Sequence, residues 1–203
     1  MYVTCLDLEG VLVPEIWIAF AEASGIPEFK RTTREEPDYD KLMKWRIGLL
    51  KEHNLGLKEI QATIEKIDPL PGAKEFLDEL RSISQVIILS DTFSEFAAPL
   101  MKKLGMPTIF CNNLSVDANG MITGHNMRQQ NGKYHAVKAL QSIGFKTIAA
   151  GDSFNDLEMI KNSHAGFLFR PPKHIQEEYS QFKTFTEYGD FLAAIRSVIE
   201  ADA

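Results

Sequence analysis

The sequence has few cysteines and no long apolar run. Among its 203 residues only Cys5 and Cys111 are cysteines, and each stands in an apolar run. We expect two buried free thiols in a reducing compartment rather than a disulfide bond. No apolar run approaches the roughly 18 residues that a membrane helix needs. The first residues are too short for a secretion signal, since Asp7 and Glu9 interrupt them. We therefore expect a cytoplasmic protein that does not bind membranes.

The chain also lacks an excess of positive charge. Its 22 basic residues are outnumbered by 28 acidic ones, which gives a net charge of -6. Nucleic acid is therefore not an expected partner. Charged residues make up 25% and hydrophobic residues 44% of the chain, as in ordinary globular proteins. A chain of this length buries about 70% of its surface, so its core needs no disulfide or metal for stability.

Familiar nucleotide and zinc motifs are missing as well. Lys133 follows Gly132, but no glycine stands five residues earlier and no Ser or Thr comes next, so this is not a phosphate-binding P-loop. The five histidines show no zinc-type spacing. Taken alone, Lys133 would be an ordinary surface lysine.

Short apolar runs alternate with helical patterns along most of the chain. Strands are predicted over residues 3–6, 85–89, 147–150 and 166–169, each bounded by polar residues or glycine. Helices are predicted over residues 73–81, 94–104, 134–143, 155–161 and 188–201. A hairpin is expected over residues 116–123, around Asn119-Gly120. The alternation predicts an α/β fold, with a doubly wound parallel sheet covered by helices on both faces.

One stretch interrupts the alternation. Residues 14–70 contain no strand-like run and are predicted to form helices over 16–24, 39–53 and 57–66. We therefore expect an α/β core domain made of residues 1–13 and 71–203, with a small helical cap domain (14–70) inserted after the first strand.

Acidic and hydroxyl side chains follow three of the predicted strands. These residues are Asp7 and Glu9, Ser90 and Asp91, and Asp152 and Asp156. The carboxyl ends of parallel strands meet at one edge of a sheet, where ligands bind. Helix capping explains a single aspartate in such a place, but it does not explain three strand ends. Crowded carboxylates without cysteine or histidine suit Mg²⁺, which would favour phosphate chemistry.

Four segments resemble, in order and spacing, the four motifs of the haloacid dehalogenase (HAD) superfamily of phosphotransferases. They are residues 7–11 (Asp-Leu-Glu-Gly-Val), 89–91 (Leu-Ser-Asp), Lys133 and 151–156 (Gly-Asp-Ser-Phe-Asn-Asp). The helical stretch after the first motif resembles the cap of the phosphoserine phosphatase branch. The likeness is closest to the bifunctional phosphoserine phosphatase/homoserine phosphotransferase group, which carries similar 7–15, 88–93 and 149–156 segments.

The resemblance implies a role for each matching residue. Asp7 would be the nucleophile that forms an aspartyl-phosphate, and Glu9 would be the general acid and then the general base. Asp152 would hold Mg²⁺ together with Asp7 and the backbone carbonyl of Glu9, and Asp156 would support that metal site from behind. Phosphate and substrate contacts would come from the remaining motif positions: Ser90, Asp91, Lys133 and Asn155.

The chain departs from the broad superfamily pattern at Glu9, where aspartate is usual. The extra methylene moves the carboxyl group by about one bond length, a shift to which reaction geometry is sensitive. Hydrolysis as the sole activity is therefore in doubt. The departure matches the transferase-like group, in which the acceptor is an alcohol.

The resemblance implies that the helical stretch recognises the substrate. Residues 45–51 (Trp-Arg-Ile-Gly-Leu-Leu-Lys) resemble a phosphoserine phosphatase segment in which Arg46 would clamp a carboxylate. Glu15 would take the substrate ammonium group. The plainer interpretations are an exposed helix arginine and a helix N-terminal acid.

The sequence thus predicts a Mg²⁺-dependent enzyme that dephosphorylates O-phospho-L-serine and passes the phosphoryl group to water or homoserine. The alternatives are a HAD phosphatase for another small phosphate ester and a receiver-type phospho-acceptor switch. The helical stretch and the position of Asp7 at the first strand end count against the switch. A homodimer is expected from the resemblance alone.

Overall fold

A seven-stranded sheet forms the centre of the molecule. The computed structural model describes residues 1–32, 35–36 and 38–202. The strands are β1 (Tyr2–Leu6), β2 (Gln85–Phe93), β3 (Thr108–Val116), β4 (Ile122–Asn126), β5 (Lys146–Gly151), β6 (Ala165–Phe169) and β7 (Lys183–Phe185). Their order across the sheet is β4-β3-β2-β1-β5-β6-β7. Every pair is parallel except β3 with β4, which is antiparallel. The predicted doubly wound α/β fold is confirmed.

Nine α-helices surround this sheet within the described residues. They are α1 (Ile16–Ser24), α2 (Tyr39–Glu52), α3 (Leu57–Ile64), α4 (Ala73–Ile83), α5 (Ser94–Lys103), α6 (Gly132–Ser142), α7 (Leu157–Lys161), α8 (Lys173–Glu178) and α9 (Tyr188–Glu200). Two 3₁₀ turns, Pro27–Lys30 and Phe154–Asp156, complete the secondary structure.

Strand β1 lies at the middle of the sheet and is buried on both faces. Leu6 belongs to the larger hydrophobic cluster, which also contains Phe76 of α4 and Phe191 of α9. Cys5 belongs to the second cluster, with Val137 of α6. Because successive side chains of a strand point to opposite faces, helices cover both faces of β1. The carboxyl ends of β1, β2 and β5 are thereby brought side by side.

Helices α1–α3 form a helical insert (residues 16–64) between β1 and α4. Its aromatic side chains pack on one another and on α5: the Trp17 ring lies 5.7 Å from Phe29 and 5.5 Å from Phe96. Where the chain leaves and re-enters the sheet region, Leu70 N donates to Leu12 O over 2.9 Å. The insert therefore shares one continuous apolar cluster with the sheet. Its division from the rest as a separate cap domain stays a prediction.

The β3–β4 hairpin reaches the helical insert at two points. Leu57 N, at the start of α3, donates to Gly120 O over 2.9 Å. His125 Nε2 lies 3.4 Å from Asp40 Oδ1 at the start of α2. The predicted turn around Asn119-Gly120 is thus present. The hairpin, at the edge of the sheet, contacts both α2 and α3.

Some elements differ from the sequence prediction. Strand β3 was not predicted, because Asn112 and Asn113 interrupt its apolar pattern. Strand β7 and helix α8 are only three and six residues long, too short to give a clear periodicity. The helix predicted from residue 155 begins at Leu157, since a 3₁₀ turn occupies Phe154–Asp156.

The structure also bears on whether the cysteines are paired and whether any helix could span a membrane. Cys5 and Cys111 are both free, as predicted; Cys5 is buried, but Cys111 is only partly buried. In the part of the chain that is described, no helix is both long and apolar enough to cross a membrane.

Candidate active site

Asp7 follows β1 at the centre of the sheet edge. Its backbone N–H donates to Ala150 O of β5 over 3.0 Å, which ties the first residue after β1 to the neighbouring strand. The residue is 5% exposed. Its Oδ1 atom accepts hydrogen bonds from Leu8 N at 2.8 Å and from Lys133 Nζ at 2.9 Å. Asp7 is therefore a buried carboxylate with a fixed orientation.

Lys133 enters this site from the first turn of α6. The side chain is 4% exposed, so the plain reading of a surface lysine is wrong. Its Nζ lies 2.9 Å from Asp7 Oδ1 and 2.7 Å from Asp156 Oδ1. Burial disfavours the charged lysine, but the charges of Asp156 and Asp7 outweigh burial and raise its pKa well above the usual value. Lys133 therefore stays positive at the floor of the site.

Three carboxyl groups lie around the ammonium group of Lys133. Carboxylate oxygens of Asp7, Asp152 and Asp156 lie within 4.8 Å of one another. Burial, followed by repulsion from Asp156, raises the pKa of Asp7 well above its usual value and that of Asp152 to about 7. The cluster therefore has more negative charge than Lys133 can offset. Hard oxygen donors with surplus negative charge fit a divalent cation such as Mg²⁺.

The three carboxylates are not equally available to a metal ion. Asp156 is fully buried, and its Oδ1 accepts from Lys133. Its Oδ2 accepts from the backbone N–H groups of Asp152 and Ser153, both at 3.1 Å. Asp156 thus orders the 152–153 segment, while Asp7 and Asp152 face the site with fewer hydrogen bonds.

Two glycines let the loops of the site approach so closely. A Cβ on Gly151 would lie 2.1 Å from Asp156 Cγ. Gly10 has φ +78°, and its Cβ would lie 2.6 Å from Asp152 Cγ. Side chains at these positions would push the acidic cluster apart.

Glu9 points away from this cluster, towards the helical insert. Its Oε2 accepts a hydrogen bond from Ile16 N over 2.8 Å, at the start of α1. Burial raises the pKa of Glu9 to about 8, and the neighbouring Glu15 carboxyl adds to the rise. Its side chain is not part of the acidic cluster, so any contact of Glu9 with a metal ion would come from its backbone carbonyl. A carboxyl group protonated near neutral pH has the property of a general acid.

Arg46 of the insert and Glu15, which precedes the insert, both lie near Glu9. Arg46 is 4% exposed rather than an exposed helix arginine. Its Nη2 donates to Arg31 O over 2.7 Å, and its guanidinium carbon lies 4.5 Å from the Trp17 ring centre. Within the described residues, its buried Nε has no hydrogen-bond partner. Burial lowers the pKa of Arg46 to about 10, so it remains charged. Glu15 precedes α1 and is exposed, and its side chain makes no capping hydrogen bond there.

Ser90 and Asp91 stand where β2 leaves regular pairing. Leu89 pairs with Phe110 and Phe93 with Asn112, so three residues of β2 oppose one of β3. Such a bulge redirects side chains. Ser90 is 6% exposed, and its Oγ accepts from Thr92 N at 3.2 Å. Ser90, Asp91 and Lys133 line a small cavity with Asn112. Asp91 Oδ2 accepts a hydrogen bond from Asn155 Nδ2 over 2.6 Å.

The structure thus brings the predicted residues into two connected groups. Asp7, Lys133, Asp152 and Asp156 form the acidic floor, and Glu9, Glu15 and Arg46 lie together on the side of the helical insert. Sequence reasoning missed Tyr39, whose pKa is raised, chiefly by burial, and which interacts electrostatically with Arg46, Asp91 and Glu9. Its position seven residues before Arg46, on the same face of α2, was the available signal.

This fold, with its floor of carboxylates and a buried lysine, defines an α/β enzyme whose candidate active site lies at the carboxyl edge of its sheet. The chain belongs to the haloacid dehalogenase-like hydrolases, because the model of that family matches residues 4–164. The predicted superfamily is confirmed.

Relatives within the family bear more specific names. The chain is 51% identical over 190 residues to the phosphoserine phosphatase ThrH of Pseudomonas aeruginosa. The alignment covers 94% of this chain and 93% of that protein. It is 51% identical over 180 residues to a phosphoserine phosphatase of Pseudomonas syringae, covering 89% of this chain and 76% of that one. A solved substrate-bound phosphoserine phosphatase complex has the same fold, with a TM-score of 0.75 at 22% identity over 92% of this chain and 93% of that chain.

Proposed function

We propose that this enzyme is a Mg²⁺-dependent phosphotransferase that removes the phosphoryl group of O-phospho-L-serine and passes it to water or to homoserine. The names of the relatives at 51% identity support phosphoserine as the substrate. The acidic floor supports phosphate chemistry through an aspartyl-phosphate on Asp7. Homoserine as acceptor is supported by the resemblance of the motifs and by Glu9.

The observation that carries the substrate assignment is the buried Nε of Arg46, which has no hydrogen-bond partner among the residues that the structure describes. A buried polar group without a partner costs about 1–3 kcal/mol, and more when it is charged. A ligand carboxylate would satisfy it, and the planar guanidinium is suited to carboxylates. The acids Glu9 and Glu15 lie close enough to influence Arg46 electrostatically. The guanidinium of Arg46 suits the carboxylate of an amino acid, and the exposed carboxylate of Glu15 suits its ammonium group.

The residues of the floor suit the first half of the reaction. A carboxylate oxygen of Asp7 attacks phosphorus, the bond from phosphorus to the serine oxygen breaks, and its electron pair stays on that oxygen. Glu9 gives its proton to the leaving oxygen, which matches its raised pKa. Lys133 and Ser90 stabilise charge on the phosphoryl group.

The second half reverses the role of Glu9. Its carboxylate takes the proton of the acceptor hydroxyl, whose oxygen attacks phosphorus, and the bond to Asp7 breaks to restore the carboxylate. Asp7, Asp152 and the Glu9 backbone carbonyl would hold Mg²⁺. The bound ion would offset negative charge on the phosphoryl oxygens.

Product analysis tests the proposal. Incubation with phosphoserine alone should release phosphate over many turnovers, and added homoserine should divert part of it into phosphohomoserine. Asp7→Asn should abolish both products while the thermal melting curve stays cooperative. No turnover of phosphoserine, together with turnover of a phosphate ester that is not an amino acid, would favour the broader phosphatase alternative. A single turnover that stops at a stable phosphoenzyme would favour the receiver-type switch.

Assembly and location complete the proposal. The family resemblance supports a homodimer that works in the cytoplasm. Sedimentation of the purified chain would distinguish a dimer from a monomer, and cell fractionation would locate it.

A further inference from the structure

Asp91 and Asn155 form a bridge across the front of the central strand. Asp91 belongs to β2, and Asn155 lies four residues beyond the end of β5. These strands are not neighbours, because β1 runs between them. The hydrogen bond from Asn155 Nδ2 to Asp91 Oδ2, 2.6 Å long, therefore spans the edge at which Asp7 follows β1.

Asp91 is the anchored end of the bridge. Its backbone carbonyl accepts from Asn112 Nδ2 over 3.1 Å. Asn112 Oδ1 in turn accepts from Arg128 N over 2.9 Å. Asp91 is thus attached to the sheet and to the segment that leads into α6.

Asn155, the other end of the bridge, is held by fewer contacts with the sheet than Asp91. It is exposed and belongs to the 3₁₀ turn Phe154–Asp156, outside the strand ladder. Its Oδ1 accepts from Ser153 Oγ. A carboxylate only accepts hydrogen bonds, so Asp91 requires the amide to present its NH₂ group. One N–H is used by Asp91, and within the described residues the second has no acceptor assigned to it.

We propose that Asp91 is a positioning residue, which orients the Asn155 amide so that its second N–H donates to the phosphorylated substrate. Asp91 itself does not touch that substrate. A further free carboxylate at this edge of the sheet would repel a phosphate group, whereas the Asp91 carboxylate accepts a hydrogen bond from Asn155. The inference rests on the proposed function, since it takes Asn155 as a substrate contact.

A double-mutant cycle tests the proposal on the full chain. Asp91→Ala and Asn155→Ala should each lower kcat/KM for phosphoserine about tenfold or more, as loss of an aligned contact does. The double variant should be no worse than Asn155→Ala, because the first change acts only through Asn155. Losses that multiply in the double variant would overturn the proposal, since Asp91 would then act independently.

Asp91→Asn provides the conservative rescue. The new amide oxygen accepts the same hydrogen bond without the charge, so this variant should recover most of the loss seen with alanine. A loss equal to that of Asp91→Ala would show that the charge of Asp91, not its bond to Asn155, is what matters, and would contradict the proposal.

Two controls separate folding and substrate identity from the inference. Asp117→Ala removes an acid whose side chain accepts two backbone hydrogen bonds in the hairpin turn, and it should leave activity unchanged. If phosphoserine proves not to be a substrate, the proposed function fails. The same cycle can then be measured with p-nitrophenyl phosphate, where non-additive losses would still support the bridge and additive losses would still exclude it.

Discussion

The backbone of Gly10 runs directly against the carboxylate of Asp152. A Cβ at residue 10 would lie 2.6 Å from Asp152 Cγ and from Oδ2, closer than real Cβ contacts occur. Gly10 also has φ +78°, where a side chain is strained in itself. This contact fixes the distance between the loop that carries Glu9 and the loop that carries Asp152, on which the acidic floor depends.

Gly10→Ala is therefore expected to damage the acidic floor more than the fold. Asp152 would have to move by a large fraction of an ångström, and a displacement of about 1 Å lowers rates about a hundredfold. We expect kcat/KM to fall about a hundredfold, with weaker Mg²⁺ activation. Steady-state phosphate release over a Mg²⁺ titration measures both.

Gly25→Ala is the matched control. Gly25 has φ +70° at the end of α1, but nothing lies within 4 Å of its added Cβ. It should lose about 1 kcal/mol of stability from the left-handed conformation and keep its activity. Similar activity losses in the two variants would mean that backbone strain, not contact with Asp152, explains the effect at Gly10.

Much of this site could be predicted because parallel-sheet topology is simple. Asp7, Ser90 and Asp152 each follow a short apolar run, and the ends of parallel strands must meet at one edge. The resemblance of the motifs then identified Lys133, although its position alone indicated a surface residue. Its burial could not be predicted, since it depends on how α6 packs against the sheet.

The contacts between distant segments could not be predicted. The bond between Asp91 and Asn155 depends on a bulge in β2 and a 3₁₀ turn after β5, and neither gives a periodic pattern. The burial of the Arg46 guanidinium depends on Trp17 and on the Arg31 carbonyl, which α1 and the following turn bring to it. Such features arise from packing, which sequence periodicity does not encode.

Mg²⁺ binding is expected to weaken in acid. Burial and Asp156 raise the pKa of Asp152 from 3.8 to about 7. Below that pH the carboxylate is protonated, and a metal ion must displace the proton. The apparent affinity should therefore fall at least about tenfold for each pH unit below about 7, because protons also compete for Asp7, whose pKa is raised as well. Calorimetric Mg²⁺ titrations on both sides of neutrality measure this, and a flat profile would contradict it.

Glu9→Gln should separate the two halves of the reaction. Glutamine cannot protonate a leaving alkoxide, so phosphoserine turnover should fall about a hundredfold or more. The p-nitrophenolate group leaves without a proton. With p-nitrophenyl phosphate we therefore expect a burst close to one equivalent of product, followed by slow turnover, because the base for the second half is missing. Stopped-flow absorbance detects the burst. Steady turnover at the parent rate would show that Glu9 is neither the general acid nor the general base.

Arg46→Lys is expected to weaken the recognition of the substrate carboxylate. Lysine keeps the positive charge but lacks the planar fork and cannot place a donor where Nε lies. We expect kcat/KM for phosphoserine to fall at least about tenfold, which corresponds to roughly 1.4 kcal/mol. Phosphoethanolamine has the same phosphate and ammonium groups without the carboxylate. It should be a poor substrate of the parent enzyme and lose little more in the variant.

Arg196→Lys, which changes an exposed arginine on α9 beside Glu79, should leave the turnover of both substrates unaffected. Because general damage to the site would slow both esters alike, equal losses would mean that Arg46 serves the packing around Trp17 and not the substrate.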